Sequence, residues 1–227
     1  MTVLHLADEG EAADLAAFLS RLLHYDRGAA VRLQAAGTAL AVFGRPPSFE
    51  VLAIRAVRLA KPYENGLDVT LDVTVSAGEL LESVDEAAGT AVVPSAVTGP
   101  PWAGVLPPRG GWRPEPGLPA PDALRAMVAA AVGEFRSRTQ ELAPEQRTRA
   151  ELDRVGREIW SRTVGDTALP VRAVHAAQSL GFLGVAGAVR EEELGLFSSG
   201  AWLRLRTPYG SIAVRRGGLG ALGVSVR

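Results

Sequence analysis

Residues 28–42 read G-A-A-V-R-L-Q-A-A-G-T-A-L-A-V, and residues 200–214 read G-A-W-L-R-L-R-T-P-Y-G-S-I-A-V. Val31, Arg32 and Leu33 align with Leu203, Arg204 and Leu205, and one extra residue in the second turn sets Gly37 against Gly210. Each copy has the apolar–polar alternation and the glycine-bearing turn of a β-hairpin. Two such hairpins, one near each end, predict a duplicated fold whose second half is interrupted by a long insert.

Working outward from the first hairpin, residues 2–7 suit a short strand. Asp8 stands three residues before Glu11, the spacing of a capping box, and Ala12, Leu15, Phe18, Leu19 and Leu22 share one face of the following helix, 9–24. Strands at 29–35, 38–44 and 51–60 complete a β-α-β-β-β unit, closed by the turn K-P-Y-E-N-G at 61–66. Residues 67–75, L-D-V-T-L-D-V-T-V, alternate as a half-buried strand does, and Ser76 with Glu79 repeats the capping-box spacing before a helix at 77–85. Strands at 201–207, 210–216 and 220–226 then finish a second unit of the same order.

The expected fold class is therefore α+β, with duplicated β-α-β-β-β units forming a mainly antiparallel sheet. The expected division is 1–66 for the first unit, 67–94 plus 196–227 for the second, 95–121 for a Pro/Trp-rich loop and 122–195 for a helical insert. An unrelated α+β domain carrying a C-terminal hairpin is the alternative. The insert opens with a strand at 88–94. Residues 94–121 hold nine of the fifteen prolines, with Trp102 and Trp112 among them, which excludes a regular helix or a central strand. Such a loop packs on its domain, docks in a partner's groove or serves as a linker. Helices follow at 122–140, from Pro144 to about Trp160, and at 170–180 with Gly181 as the stop.

Composition bounds the chemistry. The chain has 227 residues, 47% hydrophobic and 22% charged, with net charge −1. This is the profile of a folded globular protein. Charge is uneven: residues 1–90 carry 7 basic and 13 acidic side chains, whereas 201–227 hold five Arg and no acid. Lys61 is the one lysine, so the arginine excess reflects a GC-rich genome more than a polyanion-binding surface. The absence of cysteine excludes disulfides and thiolate chemistry. The acidic N-terminal residues are unlike a secretion signal, and no apolar run is long enough for a membrane span. A cytoplasmic protein is expected.

His5, His24 and His175 are far apart, and a structural, partly buried His175 is the plain reading. Asp68 and Asp72 sit about 13 Å apart on one strand face, too far for a carboxylate dyad. No P-loop, dinucleotide fingerprint, H-E-x-x-H or G-x-S-x-G occurs, and no cofactor or metal is expected. The residues that stand out lie in the C-terminal hairpin, where Trp202, Arg204 and Arg206 alternate onto one face, Tyr209 and Gly210 form the turn and Arg215 returns beside them. Cross-strand Trp and Arg of this kind either stack simply to cover the sheet or form a face for a protein or an anionic ligand.

The tandem β-α-β-β-β order over 2–85 and 201–226 resembles the repeating unit of the sliding-clamp superfamily. That resemblance implies curved sheets on an outer wall with helices turned toward DNA. Here, however, the two unit helices are acidic (Glu9, Glu11, Asp14; Glu79, Glu82, Asp85), and the insert has no counterpart. Helices 145–160 and 170–180 followed by the hairpin also look like a winged-helix domain. That resemblance implies Arg172, His175 and Gln178 on a recognition helix and Arg204, Arg206, Arg215 and Arg216 on a wing, close to Glu191, Glu192 and Glu193.

The reading these features favour is a non-catalytic interaction or scaffold protein. Its candidate surface is Trp202, Arg204, Arg206, Tyr209 and Arg215 of the hairpin with Trp102 and Trp112 of the loop. Its partner would be another protein or a second copy, for which exposed outer strands would offer pairing edges. The alternatives are a nucleic-acid-binding regulator, and an enzyme whose His175, Asp68 or Tyr209 meet in a cleft.

Overall fold

The computed structural model describes residues 2–47, 49–60, 71–187 and 189–216. The expected turn at 61–66, the start of the 67–75 strand with Asp68, and the strand 220–226 lie outside the described residues. The fold is α+β: repeated β-α-β-β-β-like units build mainly antiparallel sheet, and a helical insert follows the second unit. The chain clusters into two compact units, Met1–Arg109 with Tyr209–Ser211, and Gly110–Pro208 with Ile212–Arg227.

In the first unit, β2 (Ala30–Ala36), β3 (Ala39–Gly44) and β4 (Leu52–Arg58) form an antiparallel meander, and β5 (Leu71–Ser76) pairs with β2 on the other side. Gly37, at a φ of 59°, supplies the left-handed residue of the β2–β3 turn. Helix α1 (Glu9–Tyr25) begins where expected, because Asp8 Oδ1 accepts the Glu11 N–H at 2.9 Å. It buries Ala12, Leu15, Phe18, Leu19 and Leu22 against the sheet.

Two expectations need correction here. Strand β1 (Val3–His5) does not join the large sheet. It pairs with β7 (Thr90–Val92), which pairs with β6 (Val84–Asp85), and it meets the main meander through an isolated Leu6–Leu59 bridge, in which the Ala7 N–H donates to the Arg58 carbonyl and the Ala60 N–H to that of His5. The chain must turn into α1 at Asp8, which leaves β1 too short for a second ladder. Helix α2 (Ala77–Glu82) stops before the expected 85. The Ser83 hydroxyl donates to the Leu80 and Val92 carbonyls and accepts the Val92 N–H, so it ends the helix and starts the β6–β7 pairing.

The second compact unit, as distinct from the second β-α-β-β-β repeat, holds β8 (Arg113–Glu115), α3 (Pro121–Glu141), α4 (Arg149–Trp160), α5 (Val171–Ser179), β9 (Gly195–Ser199), β10 (Trp202–Thr207) and most of β11 (Gly210–Arg215). Pro121 occupies the first turn of α3, where a missing N–H leaves no gap. Pro144 does not start α4. It opens a separate 3-10 turn, Pro144–Gln146, and Thr148 caps α4 by accepting the Glu151 N–H. Gly181, at a φ of 78°, ends α5 as expected. Its N–H reaches the Gln178 carbonyl and that of Phe182 reaches Ala177, which together make a Schellman closure. Leu124, Val128, Val155, Ile159, Ala173 and Val174 are the buried seam of these helices. Strands β8 and β9 were not anticipated. The β10–β11 turn is made by Pro208 and Tyr209, with Gly210 already in the strand.

The acidity of α1 has a structural cause. The Arg55 side chain on β4, 8% exposed, donates to Asp14 Oδ2 at 2.7 Å and to the Tyr209 carbonyl at 2.6 Å, and lies 3.5 Å from Glu11 Oε2. Arg58 donates to Glu11 Oε1 at 2.7 Å and to Asp8 Oδ2 at 3.0 Å. Removing one partner of a buried ion group leaves the other underserved. Glu11→Ala is therefore expected to lower unfolding stability by about 2 kcal/mol, with Asp14 left to moderate the loss. Urea denaturation followed by circular dichroism checks this, and a change below about 0.5 kcal/mol would show the cluster to be ornamental to stability.

Candidate functional site

In the second unit, β9 lies between β8 and β10 in antiparallel register. Trp202, Arg204 and Arg206 alternate onto one face of β10, and Phe197 of β9 stands opposite Arg204 on that face. Leu203 and Leu205 point the other way and are buried. Three guanidinium groups lie over three rings. Arg215 sits 5.8 Å from the Trp202 centroid, Arg204 lies 5.7 Å from that of Trp112, and Arg206 lies 4.8 Å from that of Phe197.

Trp112 reaches the face from the loop before β8. That loop turns on Gly111 at a φ of 75° and is tied down by Ser199 Oγ, which donates to the Gly110 carbonyl at 3.2 Å. Trp and Arg thus stack across the strands and cover the sheet: Trp202 is only 7% exposed, with Arg215 over its ring. Burial holds the Arg204 guanidinium below its ordinary pKa, and neighbouring Arg206 adds to the shift. Arg216 pairs with Glu115 at 3.1 Å, whereas Arg206 and Arg215 form no ion pair among the described residues.

The structure thus gathers Trp112, Trp202, Arg204, Arg206 and Arg215 from the expected set and adds Phe197, which the sequence reading missed. The F-S-S run of β9 carries one ring at the strand period, and its pairing with β10 could not be read locally. Tyr209 and Trp102 belong to the first unit. Trp102 lies in the 3-10 turn Pro101–Gly104, and the carbonyl of its neighbour Ala103 accepts a hydrogen bond from Arg32 Nη1. Arg32 also clasps Asp72 through Nε at 2.7 Å and Nη2 at 3.0 Å, which, helped by Gln34, lowers the Asp72 pKa. Within the Pro/Trp-rich stretch, Ala103 and Trp112 thus each meet an arginine at a matching repeat position, Arg32 in one unit and Arg204 in the other.

The histidines do not converge. His5 is in β1, His24 is in the last turn of α1, and His175 of α5 stacks on Trp160 at 4.7 Å between ring centroids. Among the described residues no group of three or more His, Asp or Glu is placed to hold a metal ion, and no helix is long and apolar enough to cross a membrane.

Residues 1–104 match the family model for a domain of unknown function, DUF8010. Residues 107–219 match the model for a second domain of unknown function, DUF8185. The chain is similar to both, one after the other. The two matched stretches meet within a few residues of the point where the compact units part. No curated protein and no solved structure matches the chain.

Burial lowers the His175 pKa below its ordinary 6.5. The folded state then binds fewer protons than the unfolded state as pH falls below that value, so stability is expected to decline from pH 6.5 downward and to be flat just above it. This window lies above the carboxylates of Glu134 and Glu158, whose pKa values are lowered by Arg162 and Arg138. Urea titrations at pH 7 and 5.5 should show the decline in the wild-type chain and a smaller one in His175→Phe, which keeps a ring against Trp160. An equal decline in both would assign the effect elsewhere.

Proposed function

We propose that this protein is a non-catalytic binding protein that engages another protein, or a second copy of itself, through the arginine–aromatic face of β9, β10 and β11 and the Trp112 loop. The observation that carries this reading is the state of Arg206 and Arg215. Each lies over a ring, and neither has an ion pair among the described residues. A guanidinium held over a ring keeps its full charge and its N–H donors, which suits recognition of carboxylate or phosphate.

A protein partner is favoured over nucleic acid by the same geometry. Proteins that hold single strands offer ring faces to the bases. Here the Trp112, Trp202 and Phe197 rings are each covered by an arginine, so they are not open stacking platforms. The expected wing is also not a free hairpin, since β10 is paired with β9 along its length.

Cross-linking in extracts of cells that express the protein, with the wild type compared with an Arg206→Glu/Arg215→Glu double variant, tests the reading. The expected outcome is one defined adduct, with another protein or a second copy, that the double variant loses while its unfolding curve is unchanged. Equal cross-linking by both forms overturns it, as does salt-sensitive retardation of an oligonucleotide by the wild type alone.

A further inference from the structure

We infer that the segment received by the arginine–aromatic face is acidic and extended, with carboxylates four residues apart. The inference rests on the binding reading above and names the chemistry of the partner.

Three observations lead there. First, the strands of the face bring no spare acid: β10 and β11 carry no acidic residue, and Glu115 of β8 is taken by Arg216. Second, Arg206 lies over Phe197 and Arg215 over Trp202, and neither has an ion pair among the described residues, so rings hold these two positive charges in place without neutralising them.

Third, the spacing is that of a strand. Arg215 lies over Trp202, and Trp202 is four residues from Arg206 on β10, so the two cationic positions are separated by about 13 Å. In an extended peptide, side chains four residues apart share a face at that same separation. On a helix they lie roughly 6 Å apart and would reach only one of the two arginines.

Fluorescence anisotropy at low salt, where exposed charges are least screened, tests this with defined probes. The first is a labelled threonine-rich peptide carrying glutamates at every fourth position. The second has the same composition with its glutamates clustered, the third is an alanine-rich helical peptide with glutamates at every fourth position, and the fourth is oligothymidylate. The expected result is saturable binding of the first peptide by the wild-type chain, with weaker binding of the other three. Arg206→Glu or Arg215→Glu should each weaken it by about tenfold, the scale of one charge-assisted contact.

Equal binding of clustered and spaced peptides, or preference for the helical one, overturns the extended acidic segment. No peptide binding, together with an adduct in extracts that depends on Arg206 and Arg215, does the same and leaves the binding reading standing. Tighter binding of oligothymidylate that the same substitutions abolish overturns both.

Discussion

A charged side chain holds together the elements of the first unit that are most distant in sequence. Arg55 projects from β4 into a nearly closed space, where its guanidinium must find oxygen atoms or carry a large desolvation penalty. Asp14 and Glu11 of the first helix and the main-chain carbonyl of Tyr209 provide them. The helix, the central meander and residues 209–211 are therefore interdependent, although the sequence separates them by up to 154 positions. The acids that look, in isolation, like a solvated helix face are oriented inward by this requirement.

The two hairpins show how a duplicated framework can diverge without changing its backbone. Arg32 and Arg204 sit at matching places, each beside part of the proline-rich stretch. In the first unit the charge is answered by Asp72, and a carbonyl of that stretch completes the set. In the second the partners are rings. A carboxylate neutralises an arginine, whereas an aromatic face mainly orients it, so matching places in the framework carry different chemistry in the two units.

Features set by short-range physics were legible in the chain. Asp8 and Glu11, Ser76 and Glu79, and Gly181 mark helix ends through contacts spanning a few residues, and the structure places those ends accordingly. The hairpin strands were equally readable from their alternation. What escaped the sequence depended on pairing across long distances. The G-L-F-S-S run of β9 has too few apolar residues to announce a strand and becomes one because β8 and β10 flank it. The 77–85 helix was read too long because nothing local reveals that Ser83 will meet Val92. Arg215 over Trp202 is legible in outline, because alternation along the hairpin returns Arg215 beside the Trp/Arg face.

Pro114 in β8 and the Val97 N–H bonded to the Thr74 carbonyl of β5 lie at the terminal strands of their sheets, where a foreign backbone would otherwise dock. A proline withholds the donor that a growing fibril needs, and the Val97 contact uses an acceptor it would seek. Unpaired borders invite runaway stacking in a crowded cell, and these two are blunted against it. The folded chain is thereby protected at these two borders from the indiscriminate adhesion of main chain to main chain.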